Sequence, residues 1–145
     1  MSAATPENDL RGFLSHTFVA YMKTYALHWN YEGDKFYGIH QLTEKQYRDM
    51  AEAIDELAER MRAMGNTAPV SLQQILDHSS LKEYKGGVHS DKAIGELAQT
   101  HRNLSTMAKE VAEEAEKNND PVTHDLLIHR SGVHDKFAWM LESFQ

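Results

Sequence analysis

Residues 28–60 read HWNYEGDKFYGIHQLTEKQYRDMAEAIDELAER, and this stretch decides the fold prediction. Its apolar residues recur at alternating intervals of three and four, which is typical of an α-helix with one buried face. This apolar stripe consists of Tyr47, Met50, Ile54, Leu57, Met61 and Met64. We therefore predict one long helix over residues 35–64, with Asp34 as its N-cap and Gly65 at its end.

A second face of this helix carries candidate metal ligands. Each residue of an α-helix advances the chain by about 1.5 Å and turns it by about 100°. Relative to His40, Glu44 lies at about 40°. Asp55 and Glu59 lie at about 60° and 100°. All four side chains are therefore predicted on one polar face beside the apolar stripe.

These four ligands cannot serve one ion within one chain. The pair His40 and Glu44 is separated from the pair Asp55 and Glu59 by roughly 22 Å along the axis. A second copy of the helix, running antiparallel across a two-fold axis near residues 49 and 50, removes the difficulty. It places His40 opposite Glu59, and Glu44 opposite Asp55, because both pairs of residue numbers add to the same total. Such a dimer contains two identical sites.

His28 precedes a predicted turn at residues 31–34, so the preceding helix can fold back and bring it to the same place. Each site then combines His28, His40 and Glu44 from one subunit with Asp55 and Glu59 from the other. Imidazole and carboxylate without thiolate suit iron, manganese or zinc, and ligand softness alone does not choose among them.

Several segments of the chain resemble the Dps family, the DNA-binding proteins from starved cells, also called mini-ferritins. The likeness is carried by HWN at 28–30, GIH at 38–40, the carboxylate four residues later and DELAER at 55–60. Residues 123–142, THDLLIHRSGVHDKFAWMLE, resemble the last helix of that family.

The resemblance implies a ferroxidase centre between two-fold related subunits. The family's iron ligands carry over onto His28, His40, Asp55 and Glu59. Glu44 stands where Asp is more usual. Its longer side chain can still ligate, and the second ion is then expected at a shifted position. The resemblance also implies that Trp29 lies beside the iron and intercepts oxidising equivalents, while its alternative role is that of a core aromatic residue.

The resemblance further implies an all-α, ferritin-like four-helix bundle without a fifth C-terminal helix, assembled into a hollow dodecamer. The expected activity is oxidation of ferrous iron, with hydrogen peroxide preferred over dioxygen, followed by storage of ferric mineral. Dps-like cages line a three-fold channel with acidic residues from the region of Asp120 and Asp125. Asp120 has a second predicted role as a helix N-cap, because Pro121 follows it.

Composition predicts one soluble domain over residues 1–145, with a short tail at 1–7. Hydrophobic residues make up 41% of the chain and charged residues 26%, and there is no cysteine. No apolar run approaches the roughly 18 residues of a membrane helix, and no signal peptide is recognisable, so we expect a cytoplasmic protein.

The charge of the chain argues against direct DNA binding. Its formal net charge is −7, with 22 acidic and 15 basic residues. The first 22 residues contain one basic residue, Arg11, whereas family members that bind DNA strongly often do so through a lysine-rich tail. Affinity for nucleic acid comes largely from lysine and arginine neutralising phosphates, so direct binding is not expected at physiological salt.

The remaining pattern completes the bundle. We predict a first helix from about Glu7 to Asn30, a crossover over about residues 65–90 that contains a short helix within 71–80, and a third helix after Ser90. A fourth helix follows Asp120. His101 lies on the apolar stripe of the third helix and is predicted to be a hydrogen-bonded core histidine. No function is assigned to His16, His78, His89, His124, His129 or His134.

Three alternatives accompany this interpretation. A true ferritin or bacterioferritin is disfavoured, because its intra-bundle site uses Glu-x-x-His pairs and the chain has none. A DNA-compacting protein with secondary iron chemistry lacks the expected basic tail. A Dps-like shell that prefers zinc or manganese stays open.

Overall fold

The predicted helical segments form four long helices and one short one in the structure, a computed structural model that describes residues 9–145. They are α1 (Leu10–Asn30), α2 (Phe36–Ala63), α3 (Leu72–Asp77), α4 (Asp91–Lys117) and α5 (Pro121–Glu142). The described residues contain no strand. The all-α, four-helix prediction is therefore confirmed. Among the helices of residues 9–145, no candidate membrane span is found.

The structure revises one predicted helix start and one predicted N-cap. Helix α1 begins at Leu10 rather than Glu7, because Asp9 has an extended backbone and its side chain accepts a 2.7 Å hydrogen bond from the N–H of Gly12. Glu7 and the predicted tail at 1–7 lie outside the described residues. Helix α2 is preceded by Lys35 and not capped by Asp34, because the N–H of Phe36 donates to the carbonyl of Gly33 and is unavailable for capping.

The crossover lies where the sequence predicts it. Gly65 has a φ of 89°, a left-handed conformation that suits glycine, and it ends α2. Helix α3 is capped by Ser71, whose side chain accepts from the N–H of Gln74. Gly86 and Gly87 also have positive φ angles and form the predicted turn before α4.

Asp120 fixes the junction between α4 and α5. Asn119 has a φ of 56° and breaks the helical path. The Asp120 side chain then accepts a 3.1 Å hydrogen bond from the N–H of Thr123 and forms a 2.9 Å ion pair with Arg60 of α2. The predicted N-cap role of Asp120 is confirmed, and the junction is tied to α2 as well.

Helices α1 and α2 pack as one antiparallel pair and α4 and α5 as another. The two pairs enclose two apolar clusters, one around Phe13, Met50, Leu57, Leu104 and Leu127 and one around Leu27, Ile39, Ile94, Leu97 and Leu141. In the apolar stripe on α2, Met50, Leu57 and Met61 are buried, Tyr47 and Ile54 are partly buried, and Met64 at the end is exposed.

A chain of polar side chains crosses the core between these clusters. Arg130, only 3% exposed, donates to Asp49 of α2 at 2.8 Å and to Nε2 of His134 at 3.1 Å. Since a guanidinium only donates, Nε2 of His134 accepts and its Nδ1 carries the proton. That Nδ1 donates to Nδ1 of His101 at 3.0 Å. The prediction of a hydrogen-bonded core histidine at position 101 is confirmed.

This network predicts that acid destabilises the fold. Burial, together with the charges of Arg130 and Lys23, lowers the pKa of His101 to about 3. Burial, His101 and Arg130 lower the pKa of His134 well below its ordinary value. The unfolded chain therefore binds protons that the folded chain excludes, so the stabilisation is complete above pH of about 6.5 and declines as the pH falls.

We expect the free energy of unfolding to fall by up to about 1.4 kcal/mol per pH unit for each buried imidazole below that pH. Denaturant titrations at one protein concentration between neutral pH and pH of about 4 measure the slope. The matched control is a double variant, His101→Asn with His134→Asn, which has no proton to bind at these positions. An equal slope in the two proteins would show that the two imidazoles contribute nothing to the pH dependence of the free energy of unfolding.

Candidate metal centre

The turn between α1 and α2 brings His28 and His40 together through two reciprocal hydrogen bonds, which we call the histidine clamp. Nδ1 of His28 lies 2.9 Å from the carbonyl oxygen of His40, and Nδ1 of His40 lies 2.9 Å from the carbonyl oxygen of His28. Because a carbonyl only accepts, both Nδ1 atoms carry protons. Both Nε2 atoms are therefore left with a lone pair, which is the form that binds metal.

The two imidazole rings are stacked, and this decides how they can bind metal. Their centroids lie 3.7 Å apart and their planes differ by 15°. An ion bound to both would have to lie between the two nearly parallel planes, and therefore out of the plane of each ring. The lone pair lies in the ring plane, so the geometry favours two ions with one imidazole each.

The surroundings keep His28 neutral and its ring fixed. Burial, with the nearby charge of His40, lowers the pKa of His28 below its ordinary value, although Glu44 and the carbonyl of His40 oppose the shift. Buried Thr43 places its hydroxyl oxygen 3.1 Å from Nδ1 of His28. On the other side of the pair, the ring of Phe36 stacks on His40 at 5.1 Å.

Glu44 lies one helical turn after His40 and is half-buried. Its carboxylate is 3.7 Å from the guanidinium of Arg48. A metal ion must compete with this ion pair, but the pair is largely solvated and contributes at most about 1 kcal/mol. Glu44 is close enough to affect the pKa of His28, which agrees with its predicted place at the site.

Asp55 and Glu59, the carboxylate pair, are exposed and lie on the same continuous helix as the clamp. The uninterrupted α2 keeps the two half-sites roughly 22 Å apart along its axis. Within residues 9–145 of one chain, no three histidine, aspartate or glutamate side chains come together as a metal site. The site stays a prediction that requires a second chain.

The two predicted channel residues differ in their surroundings. The Asp120 carboxylate is engaged by Arg60 and Thr123; although its burial opposes the shift, these bonds lower its pKa. Asp125 is exposed and lines an open groove between α2 and α5 together with Glu56, Glu59 and His129. A channel role therefore fits Asp125 better than Asp120, and for both it stays a prediction.

Trp29 is not a core residue in the single chain, because 59% of it is exposed. Its indole stacks on the ring of Tyr25, with centroids 4.7 Å apart. Tyr25 stacks in turn on Tyr47, whose ring meets His28 edge-on at 5.2 Å. Trp29 is therefore connected to the clamp through two tyrosines.

Sequence reasoning missed Thr43, Tyr25 and the contact of Tyr47 with His28. Thr43 follows His40 by three residues and shares its side of the helix, a spacing that could have indicated a supporting hydroxyl. No local pattern indicates that Tyr25 of α1 meets Tyr47 of α2, because this contact depends on how the two helices pack.

Comparisons with known proteins now identify the family. A family model described as Ferritin-like domain matches residues 8–145. The DNA protection during starvation protein of Helicobacter pylori is 31% identical over 135 residues, which cover 92% of this chain and 94% of that protein. The chain belongs to the Dps family.

Solved Dps structures have the same fold. Dps from Staphylococcus aureus superposes with a TM-score of 0.88 at 31% identity, covering 93% of this chain and 91% of that one. The Dps protein of Vibrio cholerae O1, described as a member of a broad superfamily of ferritin-like diiron-carboxylate proteins, gives a TM-score of 0.88 at 27% identity, over 96% of this chain and 87% of that one. The resemblance found in the sequence is confirmed for family and fold.

The support of His28 by Thr43 yields a prediction for metal affinity. Replacing Thr43 with valine keeps the shape of the side chain and removes the hydroxyl near Nδ1 of His28. We use Co²⁺ as a probe, because it stays divalent under conditions in which ferrous iron is oxidised. We expect its affinity to fall by about tenfold, a loss typical of removing a group that supports a metal ligand. Calorimetric titration of the assembled protein measures the affinity.

The matched control is Thr106→Val on α4, where an exposed hydroxyl donates only to the backbone of its own helix. Equal Co²⁺ affinities for the two variants would show that Thr43 does not support a metal ligand.

Proposed function

We propose that this protein oxidises ferrous to ferric iron at centres formed between two subunits and stores the product in a hollow shell. The single observation that carries this proposal is the histidine clamp, which presents two neutral imidazoles with free Nε2 atoms, one for each of two ions. Membership of the Dps family supports iron as the substrate.

The carboxylates come from a second copy of the chain. An antiparallel α2 across a two-fold axis sets the carboxylate pair of each subunit opposite the clamp and Glu44 of the other. Neutral imidazoles and anionic carboxylates together favour the more highly charged ferric product. The dimers would assemble further, into the dodecamer that the resemblance implies.

Hydrogen peroxide suits a centre with two ions. Reduction of one peroxide to two water molecules takes up two protons and two electrons, and each of two ferrous ions supplies one electron. Two ions acting together therefore avoid release of hydroxyl radical. Peroxide is the proposed oxidant in preference to dioxygen, and this reaction would protect DNA in the cytoplasm without binding it.

The acidic groove between α2 and α5 gives cations a route toward the carboxylate pair. Glu56, Glu59 and Asp125 line it, and Glu59 is a proposed ligand. Arg60 also lines the groove, but its charge is paired with Asp120. Clustered carboxylates raise the local concentration of cations. Asp125 is accordingly proposed as an entry residue.

The test of this function compares iron oxidation in wild-type protein and in two ligand variants, Asp55→Asn and Glu59→Gln. We expect oxidation by peroxide to slow by at least about tenfold in each, since even loss of an outer-shell partner has effects of that size. Stopped-flow absorbance of ferric product after anaerobic loading with Fe²⁺ measures the rate.

Glu83→Gln, at an exposed carboxylate of the crossover, is the matched control and should oxidise iron at the wild-type rate. Equal rates in all four proteins would contradict the site. Fast binding of Zn²⁺ or Mn²⁺ without oxidation of Fe²⁺ would favour the alternative metals instead.

A further inference from the structure

Aromatic side chains form a continuous path from the protein surface to the histidine clamp. Trp29, Tyr25 and Tyr47, which we call the aromatic stack, have successive ring centroids 4.7 Å and 4.1 Å apart, with planes inclined by 27° and 22°. Tyr47 then contacts His28 edge-on. Simple apolar packing does not require three oxidisable rings in face-to-face contact.

We propose that Tyr25 is a one-electron oxidation site, which receives oxidising equivalents from Trp29 and, through Tyr47, from the metal centre. This goes beyond the role of Trp29 that the family resemblance implies, because it assigns the final oxidised group to a tyrosine on α1. The connection to the metal centre rests on the proposed function, whereas the transfer from Trp29 to Tyr25 does not.

The surroundings of the stack favour Tyr25 over Tyr47 as the oxidised group. The guanidinium of Arg48 lies over the ring of Tyr47, 5.7 Å from its centroid, and a fixed cation there disfavours loss of an electron. Tyr25 instead accepts a 3.3 Å hydrogen bond from the hydroxyl of Tyr21. A donor aimed at the phenol oxygen stabilises the phenoxyl radical that oxidation leaves.

Tyr21 is suited to remain the donor. Its ring is half-buried and packs edge-on against Tyr25 with centroids 4.9 Å apart. Burial, with the hydrogen bond to Tyr25, raises the pKa of Tyr21 to about 12, so its hydroxyl keeps its proton.

The transfer from Trp29 to Tyr25 moves one electron, and each radical forms with the loss of one proton. An external oxidant removes one electron and one proton from the indole of Trp29 and leaves a neutral indolyl radical. Tyr25, which is partly exposed, then gives one electron to that radical and releases its phenol proton to solvent, while the indole nitrogen regains a proton from solvent. The exposure of Trp29 allows this exchange, and the products are intact tryptophan and a tyrosyl radical.

The second tryptophan of the chain provides an internal control. Trp139 is 60% exposed, nearly the same as Trp29, but it lies on α5 and has no aromatic ring contact among the described residues. Because each indolyl radical is followed after it has formed, a difference in the rate at which the two radicals decay reports the presence of the aromatic stack beside Trp29.

The experiment uses metal-free protein and azidyl radicals from pulse radiolysis, which oxidise tryptophan selectively. In Trp139→Phe, where only Trp29 remains, we expect the indolyl absorption to decay into that of a phenoxyl radical at a rate independent of protein concentration. In Trp29→Phe, where only Trp139 remains, the decay should be slower by an order of magnitude or more.

Adding Tyr25→Phe to Trp139→Phe should slow the transfer from Trp29 by an order of magnitude or more, whereas adding Tyr37→Phe, at an exposed ring of α2, should not. Circular dichroism confirms that each variant folds. Equal transfer with and without Tyr25, or indolyl decay without phenoxyl formation, would overturn the assignment.

A second measurement tests the connection to the metal centre. Wild-type protein given less than one Fe²⁺ per site and then peroxide should show a tyrosyl radical by freeze-quench electron paramagnetic resonance, and Tyr25→Phe should lose it. If Trp29 transfers to Tyr25 in metal-free protein but this iron-dependent radical does not form, the step from tryptophan to tyrosine stands. Only the link to iron is then overturned.

Discussion

The histidine clamp is the interaction on which the rest of the site depends. Two hydrogen bonds from Nδ1 atoms to carbonyl oxygens join the end of α1 to the start of α2. The same bonds fix both tautomers, and the stacked rings allow one ion for each imidazole. A structural contact between helices thus determines which ring nitrogen can meet a metal, and it does so before any metal is bound.

The length of α2 imposes the second constraint. A continuous helix over Phe36–Ala63 keeps the clamp and the carboxylate pair on one face but far apart, so no bending of a loop can bring them together. The function proposed for the chain therefore requires a partner subunit. Oligomerisation then completes the metal centre in addition to burying exposed apolar residues such as Val122 and Ile128.

Much of this could be predicted from sequence, because helical periodicity and capping are local. Gly65 ends α2 and Asp120 caps α5, as their residue types predict. The apolar stripe predicts the extent of α2 to within one residue at each end. Asp34 does not cap α2, because the N–H of Phe36 already donates to the carbonyl of Gly33. The turn after His28 predicts that this residue lies near His40, but not that the two form reciprocal hydrogen bonds. The aromatic stack and the pairing of Arg130 with Asp49 join residues of different helices, and only the packing of those helices reveals them.

The most direct test of the central claim is complementation between two inactive variants, His40→Asn and Asp55→Asn, coexpressed with different tags. In a mixed dimer, one site carries both substitutions and the other is intact. With random pairing, half of the dimers are mixed and half of their sites are intact, so we expect about a quarter of wild-type iron oxidation. Mixed assemblies no more active than either variant alone would contradict it.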